Sequence, residues 1–489
     1  MPVGNKKSRS KMKKEYQHLY EKLTEYAASD YYPYHMPGHK RRTFGDLPGE
    51  LFSMDITEID GFDDLHHPEE ILEHLQKQAA AFYGAEESFY LVNGSTCGVL
   101  AAISAALNPQ ESILMARNCH KSAYHAAYLR GLDIHYLWPE QVEGFPICEA
   151  ITPEQVSDAL EQNKDIRAVL IVSPTYEGRI ADVKEIARLV HEKGIPLIVD
   201  EAHGAHLGLD DTMPENSCRN GADLVIHSVH KTLPSLTQTA LLHVNGSLVD
   251  REKLRRFLRI YQSSSPSYVL MAGIDNALQM VEQNGKQMFE IFQQRFRKMM
   301  RDLEACKHLK FLPYEPGKQD VGKLVISTHK SNITGRQLYD ILLKQYHLQL
   351  ELAAENDCLA MFTVGDTEEG YERMTKALLE IDASLESVQR AENNDEKTIV
   401  PEAKCAEDVI PLRKAWDAPQ EILPLTQAIG RYVGEFIQVY PPGVPILVPG
   451  EKMTREKYDM IVTYIEKQLN VQGLERMDRE PGMKVLMDS

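Results

Sequence analysis

Three hydrophobic runs, each followed closely by a residue with ionisable or nucleophilic chemistry, most constrain how this chain can fold. In chain order these pairs are 166–172 with Ser173, 196–199 with Asp200, and 222–226 with Lys231. Helical patterns separate the runs, and strands that alternate with helices predict a parallel sheet. In such a sheet, ligands bind beyond the carboxyl ends of the strands. We therefore expect Ser173, Asp200 and Lys231 to share one site.

Lys231 has a setting that a solvated surface lysine does not need. It follows a hydrophobic run and is flanked by Ser228 and His230. Desolvation lowers the pKa of a lysine amine and makes it a nucleophile able to form a Schiff base. Hydroxyl and imidazole donors could also hold a phosphate near the amine. These residues suggest a lysine that binds pyridoxal phosphate; a strand-end loop with an exposed lysine is the alternative.

The segment around Lys231 also resembles a family signature. Residues 226–240 are similar to the lysine segment of the bacterial ornithine/lysine/arginine decarboxylases, with departures at Pro234 and Ile226. The similarity extends from about Tyr34 to Lys452. It implies an α/β pyridoxal-phosphate enzyme of fold type I, the aspartate-aminotransferase fold. Such a chain has a large domain with a mainly parallel sheet and a smaller α+β C-terminal domain.

Length and pattern predict how the chain divides. Its 489 residues, 43% of them hydrophobic, are enough for two or three domains with substantial cores. We expect an N-terminal arm at 1–60, a cofactor-binding large domain at 61–320, and a C-terminal α+β region at 321–489 with a charged linker near 385–410. Within that region we predict, in order, a strand at 323–327, a helix at 334–345, strands at 348–352 and 359–363, a helix at 371–381, and an irregular proline-rich wall at 440–451.

The residues at 94–96 favour an anion site. Gly94, Ser95 and Thr96 follow a short apolar strand and precede a predicted helix at 99–107. Such a turn presents unpaired N–H groups at the positive end of a helix dipole. From the residues alone a plain helix cap is equally compatible. The match to the family's phosphate-binding turn favours phosphate.

The family resemblance implies further contacts with the cofactor. His120 is expected to stack on one face of the pyridine ring, and Ala202 to pack on the other. Asp200 would keep the ring nitrogen protonated and so strengthen the ring as an electron sink, and His203 would lie near the Lys231 amine. The remaining expected cofactor contacts are Ser228, His230 and a hydroxyl run at Ser263 and Ser264, which resembles a segment that reaches the neighbouring subunit's phosphate.

Charge and cysteine content exclude several classes of protein. The chain has 72 acidic and 54 basic residues, a net charge of −18, which argues against nucleic acid or an anionic membrane as a partner. Its basic stretch at 6–14 has no hydrophobic run behind it, so we expect no signal peptide or anchor. The seven cysteines lack a CxxC spacing, so we predict neither disulfides nor a metal site. We expect a cytoplasmic protein with no membrane span.

An acidic stretch at 55–64 has two interpretations. It carries five carboxylates in ten residues. A solvated loop would account for it. Alternatively, the stretch crosses a dimer interface, and one of Glu58, Asp60, Asp63 or Asp64 neutralises the distal charge of a substrate in the neighbouring site.

The resemblance implies decarboxylation of a basic L-amino acid by a homodimer or larger assembly. Lys231, His203 and Asp200 are the expected catalytic residues, with Lys231 and His203 both candidates to protonate Cα. Arginine, giving the polyamine precursor agmatine, is favoured because the shorter family members that this chain resembles are mostly assigned to it. Lysine and ornithine stay open. The other readings are a fold-type I aminotransferase or lyase, and a catalytically silent homologue that acts as a binding protein.

Overall fold

The computed structural model describes residues 18–43, 49–386, 409–439, 444–477 and 480–487. Three predicted features lie partly or wholly outside the described residues. They are the basic stretch at 6–14, most of the linker near 385–410, and positions 440–443 of the proline-rich stretch.

A seven-stranded sheet forms the centre of the large unit, which comprises the described residues from 18 to 303. Its strands are β1 (Glu87–Leu91), β2 (Ser112–Ala116), β3 (Asp133–Leu137), β4 (Ile166–Val172), β5 (Leu197–Asp200), β6 (Leu224–His227) and β7 (Ala240–Val244). In space the order is β1-β7-β6-β5-β4-β2-β3. Neighbours from β6 to β3 run parallel, and β7 is antiparallel to β6 and β1. The predicted fold class is confirmed.

Ten helices of the described large unit pack around this sheet. They are α1 (Leu19–Ala28), α2 (Gly49–Met54), α3 (Ile71–Tyr83), α4 (Gly94–Ala106), α5 (Lys121–Arg130), α6 (Pro153–Gln162), α7 (Val183–Glu192), α8 (Val229–Thr232), α9 (Arg251–Tyr261) and α10 (Tyr268–Leu303). Helix α4 packs closely on the sheet at Gly98. A Cβ at this position would come within 2.8 Å of the Leu91 side chain in β1, so the close approach requires glycine. This helix begins at Gly94, not at the predicted position 99. In the described ranges, no helix is long and apolar enough to cross a membrane.

A small unit follows, at residues 310–384. It contains β8 (Lys310–Phe311), β9 (Lys323–Ser327), α11 (Gly335–Gln345), β10 (Leu352–Ala353), β11 (Asp357–Met361) and α12 (Glu368–Ser384). The four strands form an antiparallel sheet in the order β10-β11-β9-β8. The predicted strand at 348–352 was wrong for most of its length. The Leu348 N–H donates to the Leu342 carbonyl in α11, so the chain leaves the helix late. Only the last residues of the predicted strand join the sheet.

The C-terminal unit, residues 409–487, has two small sheets. Its elements are α13 (Leu412–Trp416), β12 (Gln420–Pro424), a 3-10 turn (Leu425–Gln427), β13 (Ile437–Val439), β14 (Val444–Leu447), α14 (Arg455–Glu466), β15 (Val471–Gln472) and β16 (Gly482–Leu486). The strand orders are β12-β16 and β14-β13-β15. The prediction of an irregular wall was wrong at 444–447. There Pro445 pairs with Gln438 beside a shift of register, where a missing N–H is tolerated.

Arg117 joins the C-terminal unit to the large unit. It follows β2 and is fully buried. Its guanidinium donates to the carbonyls of Pro445 (2.7 Å) and Ile446 (3.2 Å) and to the Glu451 carboxylate (3.2 Å). Burial alone would raise the pKa of Glu451, but Arg117 and Lys457 outweigh burial and lower it. The buried ion pair therefore holds a fixed negative and a fixed positive charge together.

We predict that Arg117→Met lowers the free energy of unfolding by about 3–5 kcal/mol, because it leaves Glu451 buried with fewer donors. Arg455→Met is the matched control, since Arg455 forms an exposed ion pair with Asp459, which contributes at most about 0.5 kcal/mol. Urea unfolding followed by the fluorescence of Trp138 and Trp416 measures both. Equal effects of the two substitutions would contradict a joining role for Arg117.

Candidate active site

Strand register brings the three predicted strand ends together. Val172, Asp200 and Ile226 are aligned across β4, β5 and β6. The Ser173 N–H donates to the Asp200 carbonyl at 3.2 Å, and the Ser228 N–H to the Ala202 carbonyl at 3.4 Å. The segments that follow these three strands therefore meet at one edge of the sheet.

Lys231 lies in the short helix α8 that follows β6. Its Nζ is 3.0 Å from Nε2 of His203. Burial lowers the pKa of Lys231, although the carboxylates of Asp200 and Glu351 act in the opposite direction. The amine is thus more readily uncharged, and more nucleophilic, than that of a solvated lysine.

Asp200 is a buried carboxylate at the end of β5. Its Oδ1 accepts a hydrogen bond from the Ala202 N–H at 3.2 Å. Burial raises the pKa of Asp200, and the nearby Lys231 lowers it in part. A buried carboxylate with so few hydrogen-bond donors around it favours a protonated or cationic partner.

The first turn of α4 lies at the same edge. Gly94 has a φ of +73°, and a Cβ there would meet no atom within 4 Å, so the space in front of it is open. Its N–H donates to the Gln238 carbonyl at 3.0 Å. Ser95 is half-buried and Thr96 is exposed. The N–H groups of a first helical turn have no partner within the helix, so an anion can bind them.

Three hydroxyl groups predicted to contact the cofactor differ in exposure. The Ser228 Oγ is buried and has no hydrogen-bond partner. Ser263 and Ser264 are exposed. The Ser263 N–H donates to Oδ1 of Asn93 at 3.2 Å, which puts the run beside the α4 turn of the same chain. The predicted contact with a neighbouring subunit stays a prediction.

The charge of Lys231 acts on the two other predicted histidines, His120 and His230. Nδ1 of His120 accepts from the Ser122 N–H at 3.3 Å and so caps α5. Burial, with help from the Lys231 charge, lowers the pKa of His120 to about 4, so its imidazole is neutral. Nδ1 of His230 donates to the Thr239 carbonyl at 2.8 Å, which leaves only Nε2 for a ligand.

Three residues at the site were missed by the sequence analysis. Lys323 opens β9, is 3% exposed, and places its Nζ 2.9 Å from Nδ1 of His203. The Tyr176 ring packs edge-on against His203, with ring centroids 4.8 Å apart. The Tyr176 hydroxyl donates to the Glu351 carboxylate. A lysine that opens an otherwise hydrophobic strand was the available signal for Lys323.

The acidic stretch has mixed roles in the structure. The Asp63 carboxylate accepts the backbone N–H groups of Glu69 (3.0 Å), Glu70 (2.9 Å) and Leu72 (3.0 Å). It therefore fixes the start of α3, and the interpretation of Asp63 as a substrate contact is not supported. Asp64 accepts from the His66 N–H at 2.8 Å. Glu58 and Asp60 are exposed.

Comparison with known proteins identifies the family. The Orn/Lys/Arg decarboxylase major domain matches residues 17–318, and the C-terminal domain of the same family matches 408–482. An arginine decarboxylase of Bacillus subtilis is 33% identical over 474 residues, covering 94% of this chain and 95% of that protein. One of Bacillus anthracis is 32% identical over 478 residues, with the same coverage.

Solved structures agree with this match at the level of the fold. The lysine decarboxylase of Francisella novicida superimposes with a TM-score of 0.80 at 17% identity, covering 96% of this chain and 81% of that one. An alanine–glyoxylate aminotransferase of Nostoc shares only the more general fold, with a TM-score of 0.51 over 63% of this chain. With both domain models matched, and relatives above 30% identity along nearly the whole chain, this protein belongs to the Orn/Lys/Arg decarboxylase family.

Proposed function

We propose that this protein decarboxylates L-arginine to agmatine with pyridoxal phosphate as its cofactor. One observation carries the proposal: a chain with arginine decarboxylases among its near full-length relatives has a half-buried Lys231 that contacts His203 and feels the charge of Asp200. The cluster suits an enzyme and gives no support to a silent binding protein. Lysine and ornithine are the alternative substrates, because they belong to the same family.

The residues at the strand ends fit pyridoxal phosphate. An unpartnered buried hydroxyl at Ser228 and the open space before Gly94 suit a phosphate, and the buried Asp200 suits a protonated ring nitrogen. When bound, the cofactor supplies a sink for the electron pair that CO2 leaves behind. Ser95, Thr96, His230, Ser263 and Ser264 would complete the phosphate contacts, with His120 and Ala202 on the two faces of the ring.

Lys231 is the nucleophile that would attach the cofactor. Its lowered pKa makes the free amine more available than that of a solvated lysine. After CO2 has left, the same amine or His203 would return a proton to Cα, and the 3.0 Å separation of Nζ from Nε2 lets the two exchange one. Asp200 would hold the proton on the ring nitrogen throughout.

The distal charge of arginine needs a carboxylate in the site. Glu351 is one candidate, because it contacts Tyr176 and its charge acts on Lys231. The other candidates are Glu58, Asp60 and Asp64 of a partner subunit. The arm that precedes them exposes Tyr31 (69%), Tyr32 (63%) and Tyr34 (89%), and such a hydrophobic patch suits an interface between copies of the chain. We infer a cytoplasmic homodimer or larger assembly, active in polyamine biosynthesis.

Arginine, lysine and ornithine supplied together should yield mainly agmatine, with release of CO2. Amine products are identified by mass spectrometry, and Lys231→Ala is the inactive control. Cadaverine as the main product would identify lysine as the substrate, and putrescine would identify ornithine. Transfer of the amino group to a keto acid without CO2 would indicate an aminotransferase, and no turnover of any substrate would favour the silent homologue.

Ser228→Ala should weaken cofactor binding about tenfold to a hundredfold, because one hydrogen bond to a charged group contributes about 1.5–3 kcal/mol. It should leave the stability of the cofactor-free chain unchanged, since the hydroxyl has no protein partner. Ser88→Ala is the matched control. The Ser88 Oγ lies 2.6 Å from Nδ1 of buried His243, so this variant should lose about 1–3 kcal/mol of stability and keep its cofactor affinity. Equal cofactor affinity in both variants would remove Ser228 from the site.

If the arm acts across the interface, neutralising Glu58, Asp60 or Asp64 should raise KM for arginine in one variant far more than it lowers cofactor occupancy. Mixing that variant with Lys231→Ala should then restore activity, because one hybrid site contains both intact groups. Glu351→Gln is the matched control: Glu351 lies in the same chain as the Lys231 it acts on, so its mixture with Lys231→Ala should show no more activity than the Glu351→Gln protein shows alone. If no arm mixture regains activity while subunits exchange, each site is confined to one chain.

A further inference from the structure

A groove opens between the end of helix α10 and strand β8, the first strand of the small unit. Its volume is about 500 Å³, within the range of small-molecule sites in proteins. Hydrophobic side chains form most of its lining, among them Phe296, Met300, Leu303, Phe311, Tyr314 and Val321. The groove shares no lining residue with the candidate active site, so it is a separate feature of the molecule.

Positive charge dominates the rim of this groove. Arg297 and Arg301 of α10 and Lys310 of β8 line it together with a single carboxylate, that of Glu304. The thiol of Cys306 also lines the groove, but burial raises its pKa to about 12, so it stays neutral. The whole chain has a net charge of −18, so the charge of the groove is opposite in sign to that of the protein. Such a local excess of cations attracts an anionic ligand.

Two of the three cations have no partner in the described parts of the chain. Arg297 donates to Oε1 of Gln293 at 2.8 Å. The side chains of Arg301 and Lys310 form neither a hydrogen bond nor an ion pair there, although Glu304 lines the same groove. The helix dipole stabilises a cation in the last turn of α10, which accounts for Arg301. It does not account for Lys310, which lies on a strand.

The backbone that carries Lys310 is held in place. Both oxygens of the Asp382 carboxylate accept from the backbone N–H groups of Lys307, His308 and Leu309, each at 2.8 Å. These bonds fix the segment that leads into β8 and use the negative charge of Asp382 outside the groove. The position of the Lys310 charge is therefore set before any ligand binds, which lowers the cost of binding.

Two aromatic rings in the groove are available to a ligand. The Phe311 ring is half-buried, and Tyr314 is 38% exposed. Neither ring stacks on another aromatic side chain among the residues that the structure describes. The third ring, Phe296, already packs edge-on against Phe362, with ring centroids 5.7 Å apart. Free aromatic faces favour a ligand with an aromatic ring of its own.

We propose that this groove binds a small aromatic anion, such as an aryl carboxylate. The ring of the ligand would pack on Phe311 and Tyr314, and its carboxylate would pair with Arg301 and Lys310. The inference goes beyond the proposed function and is independent of it, because the groove and the candidate active site have no lining residue in common.

The test titrates the full, cofactor-loaded chain with 2-naphthoate by isothermal calorimetry. The uncharged analogue 2-naphthalenemethanol should bind about tenfold more weakly. The double variant Arg301→Met/Lys310→Met should weaken 2-naphthoate binding about tenfold, because it removes two partly exposed ion pairs. Lys298→Met/Lys307→Met is the matched control. It removes the same charge from exposed lysines that do not line the groove, so it should bind 2-naphthoate like the wild type.

A third variant should change the affinity in the opposite direction. Glu304→Gln removes the carboxylate that repels the ligand, so it should tighten 2-naphthoate binding about threefold. Loss of folding cannot produce that gain.

Three results would overturn the proposal: no binding of 2-naphthoate to the wild type, equal affinity for the acid and the alcohol, or equal losses in the two double variants. If Arg301→Met/Lys310→Met kept its affinity but changed the mass of the assembly in sedimentation, the groove would be an interface between copies of the chain. That result would also overturn the proposal. Calorimetry does not use turnover, so inactivity towards arginine would overturn the proposed function alone.

Discussion

Parallel hydrogen bonding between β4, β5 and β6 is the constraint on which the site depends. Because these strands share a direction, their carboxyl ends lie at one edge, and their alignment brings Asp200 level with the end of each neighbour. Successive side chains of a strand point to opposite faces. Asp200 therefore reaches the site, whereas Glu201 points into the core, where it lies 2.7 Å from Nε2 of His227. A shift of one residue would exchange the two carboxylates.

The two carboxylates are suited to their different surroundings. Burial raises the pKa of Glu201 to about 8 and lowers the pKa of His227 to about 3, so the neutral forms of both are favoured and they share a proton. His227 in turn contacts His243 (3.1 Å), which contacts Ser88. This core network satisfies its polar groups internally. The site edge leaves Asp200 and the Ser228 hydroxyl poorly satisfied, which is what a binding site for a charged ligand requires.

The sequence predicted those parts of the fold and of the site that depend on residues close together in the chain. Hydrophobic runs predicted β4 and β9 with the observed ends, and their order along the chain predicted which residues would meet at the sheet edge. The predicted strand at 348–352 was wrong for most of its length, because Leu348 still hydrogen-bonds to Leu342 of α11 and pairing with β11 begins only at Glu351 and Leu352. Lys323 was missed because its role arises only when the small unit docks. A Cβ at Gly178 would lie 2.6 Å from the Lys323 side chain, so the close approach depends on a glycine nearly 150 positions earlier in the chain.

Two buried cations show how the chain separates fixed charge from exchangeable charge. Arg117 lies against Glu451, and a guanidinium keeps its proton at any physiological pH, so it suits a permanent joint between units. Lys323 hydrogen-bonds an imidazole, and burial, opposed in part by Asp320, lowers its pKa to about 8. An amine with that pKa can gain or lose its proton near neutrality. Lysine instead of arginine at position 323 therefore makes the boundary between the large and small units responsive to protons, next to the His203 side chain that contacts the candidate nucleophile.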